Sequence, residues 1–358
     1  MKILHLIYSG FGGHGPIATK ISNIKLKKIN NYILYHGDKK LLREYRKINK
    51  NYDFFFSKNL FLFAKIKNFV FLFKKINPDI IISHTNNIFP ILVYSLFKKI
   101  KIISVQHQSN QIKNIRQYIL NLLEFIFSDR VIVLTRLYKN EIIKKFFFIK
   151  NLRKKTIIIP NGVEYIKSST YNIKKDHIII GMASRFINSK RQDILIRMIK
   201  LYYDTYPSIK KKIILSLAGN GETLNNNKIL TKNLHIGKYV IFENFLSGKK
   251  LLDWYKKIDF YFHASEGEGM SVSILEAMAK KKIIIASNVN GINNLIVNRK
   301  NGLLCNNNHL EFFKVLLKII NNQDNYNYLA KNAFADIKNK YSNKIMISKY
   351  KKLISSLL

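Results

Sequence analysis

At 358 residues the chain is long enough for two hydrophobic cores, and a content of 47% hydrophobic and 13% aromatic residues excludes a disordered protein. A single cysteine, Cys305, excludes an intrachain disulfide framework, and no apolar run approaches the ~18 residues that cross a bilayer. Sixty-two Lys and Arg against 21 Asp and Glu give a net charge of +41, which alone suggests a nucleic acid or an anionic membrane surface as partner. Lys, Ile, Asn, Phe and Tyr are all abundant and spread along the whole chain, the mark of an A+T-rich coding bias. Against that background a cluster of carboxylates is the informative feature.

In chain order, the start MKILHLIYSGFGG reads as a strand ending in glycines rather than a signal peptide, so the cytoplasm is the expected compartment. Runs at 2–8, 31–37, 79–85, 101–107, 130–135 and 156–160 read as strands, separated by longer lysine-studded helical stretches. Continuous apolar strands alternating with amphipathic helices predict a parallel sheet covered on both faces. In the first loop, Gly10, Gly12 and Gly15 fit G-x-G-x-x-G, Pro16 stands at the first helical position and Asp38 follows the second strand. This spacing raises a nicotinamide-dinucleotide site, but it suits phosphate and sugar binding equally, and the second half offers no hydride-transfer partners. Segments 53–75 and 140–155 mix Phe with Lys; apolar and basic faces on one helix suit an anionic lipid surface, although Phe at helical spacing is more often core. His84 and His107 fall near strand ends, and His107, flanked by Gln106, Gln108 and Ser109, is the better substrate contact.

Residues 162–176 are polar and aperiodic and predict an interdomain linker. The βα rhythm then restarts, with strands at 177–184, 212–219, 239–244, 259–265, 282–288 and 302–305, and 342–358 reads as one amphipathic helix. The expected fold class is therefore α/β: two Rossmann-like doubly wound parallel-sheet domains facing across a cleft. They span 1–165 and 177–340, with helix 342–358 crossing back to the first and ligands at the carboxyl ends of the strands.

The sharpest chemical signal is HASEGEGMSVSILEAMAKKK (263–282). Glu266, Glu268 and Glu276 place three of the 21 acidic residues within eleven positions, beside Gly267, Gly269 and a helix predicted to start near Ser271. Glycines admit a ligand to the backbone, and the N–H groups of Met270, Ser271 and Val272 at a helix start favour an anion. A carboxylate so close, Glu276, is best used on hydroxyls, where it accepts in bidentate fashion. An acidic helix start that merely stabilises the dipole accounts for one glutamate but not for the glycine loop. Upstream, GMASRFINSKRQDILI (181–196) puts Arg185 and Lys190 on the loop after a strand, ahead of a helix capped near Ser189. The pair fits a diphosphate clamp. No Asp-x-Asp and no paired histidine spacing supports a metal site, and no cofactor is expected.

Taken together these residues resemble the retaining, nucleotide-sugar-dependent glycosyltransferases of family 4, the "glycosyl transferases group 1" kind, which have the GT-B fold. The resemblance spans nearly the whole chain: FGG in the first loop, IIPNGVE (158–164), SRFINSK, LAGNGE (217–222), the glutamate pair in EGMSVSILEAMA, and KNGLLC. It implies that Arg185 and Lys190 bind the donor diphosphate and that Glu276 holds the ribose. Glu268, with the backbone of Gly269, Met270 and Ser271, would hold the donor sugar and phosphate. Gly12 and Gly13 would approach the diphosphate from the other domain, and His107 would touch the transferred sugar. The implied activity moves a sugar from a UDP- or GDP-sugar, without a metal, to a glycan or lipid-linked glycan acceptor in bacterial surface polysaccharide synthesis. The implied location is cytoplasmic or peripheral on the inner membrane face, with no nucleic-acid partner. A sugar-nucleotide epimerase of the same architecture and a basic nucleic-acid-binding protein are the alternatives. Two departures bear on the donor: Gly291, Ile292, Asn293 and Asn294 stand where relatives usually read Gly-Ile-Pro-Glu, and Thr135–Arg136 where they often read Ser-Glu.

Overall fold

The computed structural model describes residues 1–7, 15–24, 28–36, 52–55, 62–85, 87–107, 115–165, 177–207 and 212–357. The chain divides into two compact units, Met1–Asn161 with Lys344–Leu358, and Gly162–Asn343. Each is an α/β unit built on one parallel sheet, as the strand pattern predicts.

The first sheet holds β1 (Lys2–Ile7), β2 (Asn30–His36), β3 (Tyr52–Phe55), β4 (Ile80–Ser83), β5 (Lys101–Gln106), β6 (Arg130–Val133) and β7 (Thr156–Ile158), in the order β3-β2-β1-β4-β5-β6-β7. The helices between them are α1 (Gly15–Ser22), α2 (Leu62–Ile76), α3 (Ile88–Ser95), α4 (Ile115–Phe127), α5 (Arg136–Lys145) and α6 (Leu152–Lys155). Because β1 pairs with both β2 and β4, the winding reverses between β1 and β4, and that reversal opens a crevice at the carboxyl ends of these strands. Ile and Leu of the strands bury against Phe69, Phe73 and Tyr94 from α2 and α3 on one side of the unit. A second cluster around Phe125, Ile142 and Phe146 closes the far end.

The second sheet holds β8 (His177–Ala183), β9 (Lys212–Ala218), β10 (Val240–Glu243), β11 (Phe260–His263), β12 (Ile283–Ser287) and β13 (Leu303–Cys305), in the order β10-β9-β8-β11-β12-β13. Its helices are α7 (Gln192–Thr205), α8 (Leu224–Asn233), α9 (Gly248–Lys257), α10 (Val272–Ala279), α11 (His309–Asn321) and α12 (Asn327–Lys340), and α13 (Asn343–Ser355) ends the chain. Here the winding reverses between β8 and β11, both of which end in loops that the sequence marks as chemical. Strand β11 shows how the period of two sorts its side chains: Phe260 and Phe262 enter the main core, which leaves Tyr261 and His263 for the opposite face.

Three aspartates secure strand starts in the same way. Asp79 accepts from the Lys2 N–H at 2.9 Å, Asp129 from the Ile102 N–H at 2.9 Å and Asp259 from the Ile179 N–H at 2.8 Å, each stitching the beginning of one strand to its neighbour.

Several expectations need correction. Segment 53–75 is not one amphipathic helix: Tyr52–Phe55 is an edge strand paired with β2, and the helix begins only at Leu62. Aromatic, β-branched-like runs satisfy either structure, and pairing with an open sheet edge decides it. Segment 140–155 is also broken, since α5 ends at Lys145 and α6 starts at Leu152; Phe146 is buried while Phe147 and Phe148 stay exposed. Ser189 does not cap α7; Arg191 is the residue before the helix, without a side-chain cap bond. Pro16 is the second rather than the first residue of α1. Gly10, Gly12, Gly13 and Asp38 lie outside the described residues, as does most of the 162–176 linker.

The LAGNGE turn after β9 wraps the loop that follows β8. Gly219 has φ +146° and a Cβ there would stand 1.9 Å from the Ser184 carbonyl oxygen; Gly221 has φ +153° and a Cβ would meet the Phe186 carbonyl oxygen at 2.2 Å. The two backbones cannot separate, because the Ser184 N–H donates to the Ala218 carbonyl at 3.0 Å and the Phe186 N–H to the Asn220 carbonyl at 2.9 Å. Gly219→Ala should therefore lower stability by about 1–3 kcal/mol in urea denaturation. Gly237→Ala, which has open space, should leave it unchanged or raise it slightly. Equal midpoints for the two variants would contradict this account.

Candidate active site

The loops after β8 and β11 meet because their strands are neighbours at the point where the winding reverses. The Glu266 N–H and the Ser265 hydroxyl both donate to the Ser189 carbonyl, at 2.9 and 3.1 Å, and the Arg191 N–H donates to the Ala264 carbonyl at 3.1 Å. Buried Gln192 fixes the first loop from below, its amide donating to Ser184 Oγ at 2.9 Å and to the Arg185 carbonyl at 3.0 Å. The Arg191 guanidinium forks onto Asp193 at 2.9 Å and reaches Glu266 at 3.2 Å. Arg191 thus ties loop to loop, while the Arg185 side chain is exposed and makes no ion pair among the described residues.

Glu268 is the centre of the arrangement. Its Oε1 accepts from Lys190 Nζ, with side-chain exposures of 12% for Lys190 and 13% for Glu268, and from His263 Nε2 at 2.7 Å. Burial pushes the Glu268 carboxyl up, but the Lys190 ammonium and the His263 hydrogen bond more than offset this and hold it at about 2, well under its ordinary ~4.3. Burial lowers the pKa of His263, with Glu268 opposing. Behind it, Tyr261 Oη lies 3.4 Å from His263 Nδ1 and donates to the Ala183 carbonyl at 3.2 Å. The loop itself is clamped from the far side: the Glu268 N–H donates to the Asn290 carbonyl at 3.0 Å, and at Gly291, φ +86°, a Cβ would lie 2.0 Å from the Glu268 carbonyl oxygen.

Met270 is buried, and Ser271 precedes α10 as its cap, its hydroxyl accepting from the Ile274 N–H at 3.5 Å and lying 3.2 Å from Ser273 Oγ. The first-turn N–H groups of α10 have no intrahelical acceptor and carry the positive end of its dipole. Glu276, half-buried in the second turn, accepts from Tyr255 Oη at 3.1 Å. The Tyr255 hydroxyl is driven well above its ordinary pKa, first by burial and then by the Glu276 charge, so it stays a donor. The Tyr261 hydroxyl is likewise pushed up, first by burial and, among lesser causes, by the Glu276 and Glu268 charges.

Known proteins match this chain along both units. The family described as Glycosyl transferases group 1 matches residues 166–336, and Glycosyltransferase Family 4 matches residues 27–165. The uncharacterized glycosyltransferase MJ1069 of Methanocaldococcus jannaschii is 30% identical over 308 residues, covering 79% of this chain and 76% of that protein. The chain is a family 4 glycosyltransferase. The capsular polysaccharide biosynthesis glycosyltransferase CapH of Staphylococcus aureus is 26% identical over 238 residues, 62% of each chain. Among solved structures, Anabaena Alr3699/HepE in complex with UDP and glucose has a TM-score of 0.83 at 19% identity, covering 99% of this chain and 100% of that one, so the fold is GT-B.

In this glycosyltransferase the structure gathers Arg185, Lys190, Glu268, Gly269, Met270, Ser271 and Glu276 on two adjoining loops and one helix. His107 lies in the first unit, half-buried just past β5, where its Nε2 is 3.2 Å from His84 Nδ1. Sequence reasoning treated these histidines singly. The sheet stacks them, His84 on His107 at 5.4 Å and His5 on His84 at 5.9 Å between ring centroids, because β1, β4 and β5 are adjacent. It also passed over His263, Tyr255 and Tyr261, which hold the two glutamates; the signal available was a polar residue at every second position of β11, the period of one sheet face. Among the described residues no three His, Cys, Asp or Glu side chains converge as metal ligands, and no helix is long and apolar enough to cross a membrane.

The pairing has a pH signature. The folded pKa of Glu268 is depressed, so its stabilisation is full above ~4.3 and is lost as pH falls toward 2. His263, also depressed, takes its proton more readily in the unfolded chain below about 6.5, so it too costs stability in acid. Glu268→Gln should cost about 1–3 kcal/mol at neutral pH and flatten the acid side of a stability-versus-pH profile measured by urea unfolding. Parallel profiles for variant and parent would show that the carboxylate carries no such charge.

Proposed function

We propose that the protein is a retaining glycosyltransferase that moves a sugar from a nucleoside-diphosphate donor to a glycan or lipid-linked glycan acceptor in bacterial surface polysaccharide synthesis. The observation that carries this reading is the set of cations and helix amides at the reversal point of the second sheet, beside two carboxylates held as hydroxyl acceptors. HepE was solved with UDP and glucose, and CapH is a capsular polysaccharide enzyme; both support a nucleotide sugar and a surface glycan here, with UDP-sugars first among candidates.

The hard step is breaking the bond between the anomeric carbon and the diphosphate oxygen, with the electron pair leaving on the diphosphate. Negative charge grows there, and fixed donors aimed at it are most effective in a site where they need not reorganise. Arg185 is positioned by the Gln192 clamp on its own carbonyl, so its exposed fork is free to take two phosphate oxygens. Lys190 exchanges Glu268 for phosphate when the donor arrives, and Glu268 keeps His263 as partner while its other oxygen turns to sugar hydroxyls. The first-turn amides of α10 supply the rest, and no metal is required for charge compensation. Glu276, steadied by Tyr255, accepts from the ribose hydroxyls. His107 is assigned the transferred sugar.

The acceptor oxygen then attacks the face the diphosphate leaves, and its proton passes to the departing phosphate oxygen. This same-face route suits Glu268 better than a covalent one, since a carboxylate held by His263 on one oxygen and turned to sugar hydroxyls with the other is a poor nucleophile. A sugar trapped on Glu268 would overturn that choice.

A thermal-shift panel of UDP-, GDP- and ADP-sugars should show stabilisation by one nucleotide class, as expected for ligands that bind only the folded form. Arg185→Ala or Lys190→Ala should each reduce kcat by ~10²–10³-fold, the cost of removing one preorganised charge donor. NMR of the product should show the anomeric configuration of the donor sugar. Unimpaired turnover in the double variant, or an inverted product, would defeat the proposal.

A further inference from the structure

The first unit contains a pocket of about 580 Å³ that the donor chemistry leaves unused. Its walls come from the first two turns of α2, α3 and α4. Helices that follow parallel strands begin at the carboxyl edge of the sheet, so this pocket opens on the edge where His84 and His107 stand. The volume falls within the ~300–1,000 Å³ usual for small-ligand sites.

The chemistry of the walls is two-sided. Ile66, Phe89, Ile115 and Ile119 form the apolar side, and Phe89, Ile115 and Ile119 are left 44%, 82% and 54% exposed. The polar corner is Lys65, half-buried, beside Arg116. Neither meets a carboxylate among the described residues. Burial lowers the Lys65 pKa, and the neighbouring Arg116 charge lowers it further. In a chain whose lysines are mostly spread over solvated surface, two adjacent cations with no carboxylate partner among the described residues, at the mouth of an apolar hollow, call for an anion carried on an apolar chain.

We propose that this pocket binds the phosphate-bearing lipid end of the acceptor, an isoprenoid phosphate, with Lys65 and Arg116 on the phosphate and Ile66, Phe89, Ile115 and Ile119 on the first carbons of the chain. The proposal rests on the transferase reading for its role in acceptor choice, while the binding itself does not. A free sugar offers nothing to the apolar wall, and inorganic phosphate leaves that wall wet. A water-soluble amphiphile uses both.

The test is isothermal titration of the full chain with farnesyl phosphate below its micelle concentration, beside farnesol and inorganic phosphate. Saturable one-to-one binding is expected for farnesyl phosphate, at least tenfold weaker binding for farnesol, and weaker still for phosphate. The double variant Lys65→Glu/Arg116→Glu and the single variant Ile119→Asp should each weaken farnesyl phosphate binding at least tenfold, with thermal shifts by the donor sugar unchanged to show that the fold persists. Equal binding by parent and variants overturns the proposal. So does binding to phosphatidylglycerol vesicles without binding to soluble farnesyl phosphate, which would make the surface a bilayer contact. If no nucleotide sugar binds while farnesyl phosphate still does, the transferase reading fails and the pocket stands.

Discussion

One carboxylate, kept ionised in a nearly closed place, organises the second unit. Glu268 can remain an anion there only because Lys190 and His263 share its Oε1, and each of those is in turn positioned by something else: Lys190 by the loop after β8, His263 by the face of β11 that it shares with Tyr261. Taking a charge from water is expensive unless it is paired, and removing one partner leaves the other exposed to that cost. The loops after β8 and β11 are therefore locked together by more than their mutual backbone bonds. Gly291 completes the lock by letting the next loop approach the Glu268 carbonyl where no other residue fits.

The arrangement explains why a ligand-free site does not collapse under its own electrostatics. Arg191, which lies one residue from Lys190, is consumed by Asp193 and Glu266 and holds structure, whereas Arg185 has no such partner among the described residues and faces solvent. Neighbouring cations thus divide their work by the company they keep. The same division appears among the acids, where Asp79, Asp129 and Asp259 stitch strands through backbone N–H groups and Glu268 and Glu276 take their hydrogen bonds from side chains.

The fold was largely legible because isoleucine-rich runs separated by amphipathic stretches admit few structures other than a doubly wound parallel sheet. All the strands expected from such runs are present within a residue or two at either end. Strand β3 was not, because Tyr52–Phe55 opens a Phe–Lys stretch whose local pattern suits a helix as well as a strand, and only the open edge of β2 distinguishes them. The glutamate pair and the basic pair stood out by scarcity and by position. What holds them did not: His263 and Tyr261 are spaced as ordinary strand residues, and the histidine stack draws on positions 5, 84 and 107, which only sheet order brings side by side.

That stack has an effect of its own. Burial lowers the His5 pKa to about 4, and its ring lies against His84, which lies against His107. Protonating His5 there puts a charge against the His84 ring with little water to screen it, so acid opposes the packing of β1 against β4. The two units thus carry separate acid-sensitive sites, a buried imidazole in one and a carboxylate with its imidazole in the other, and a drop in pH would act on each half by its own route.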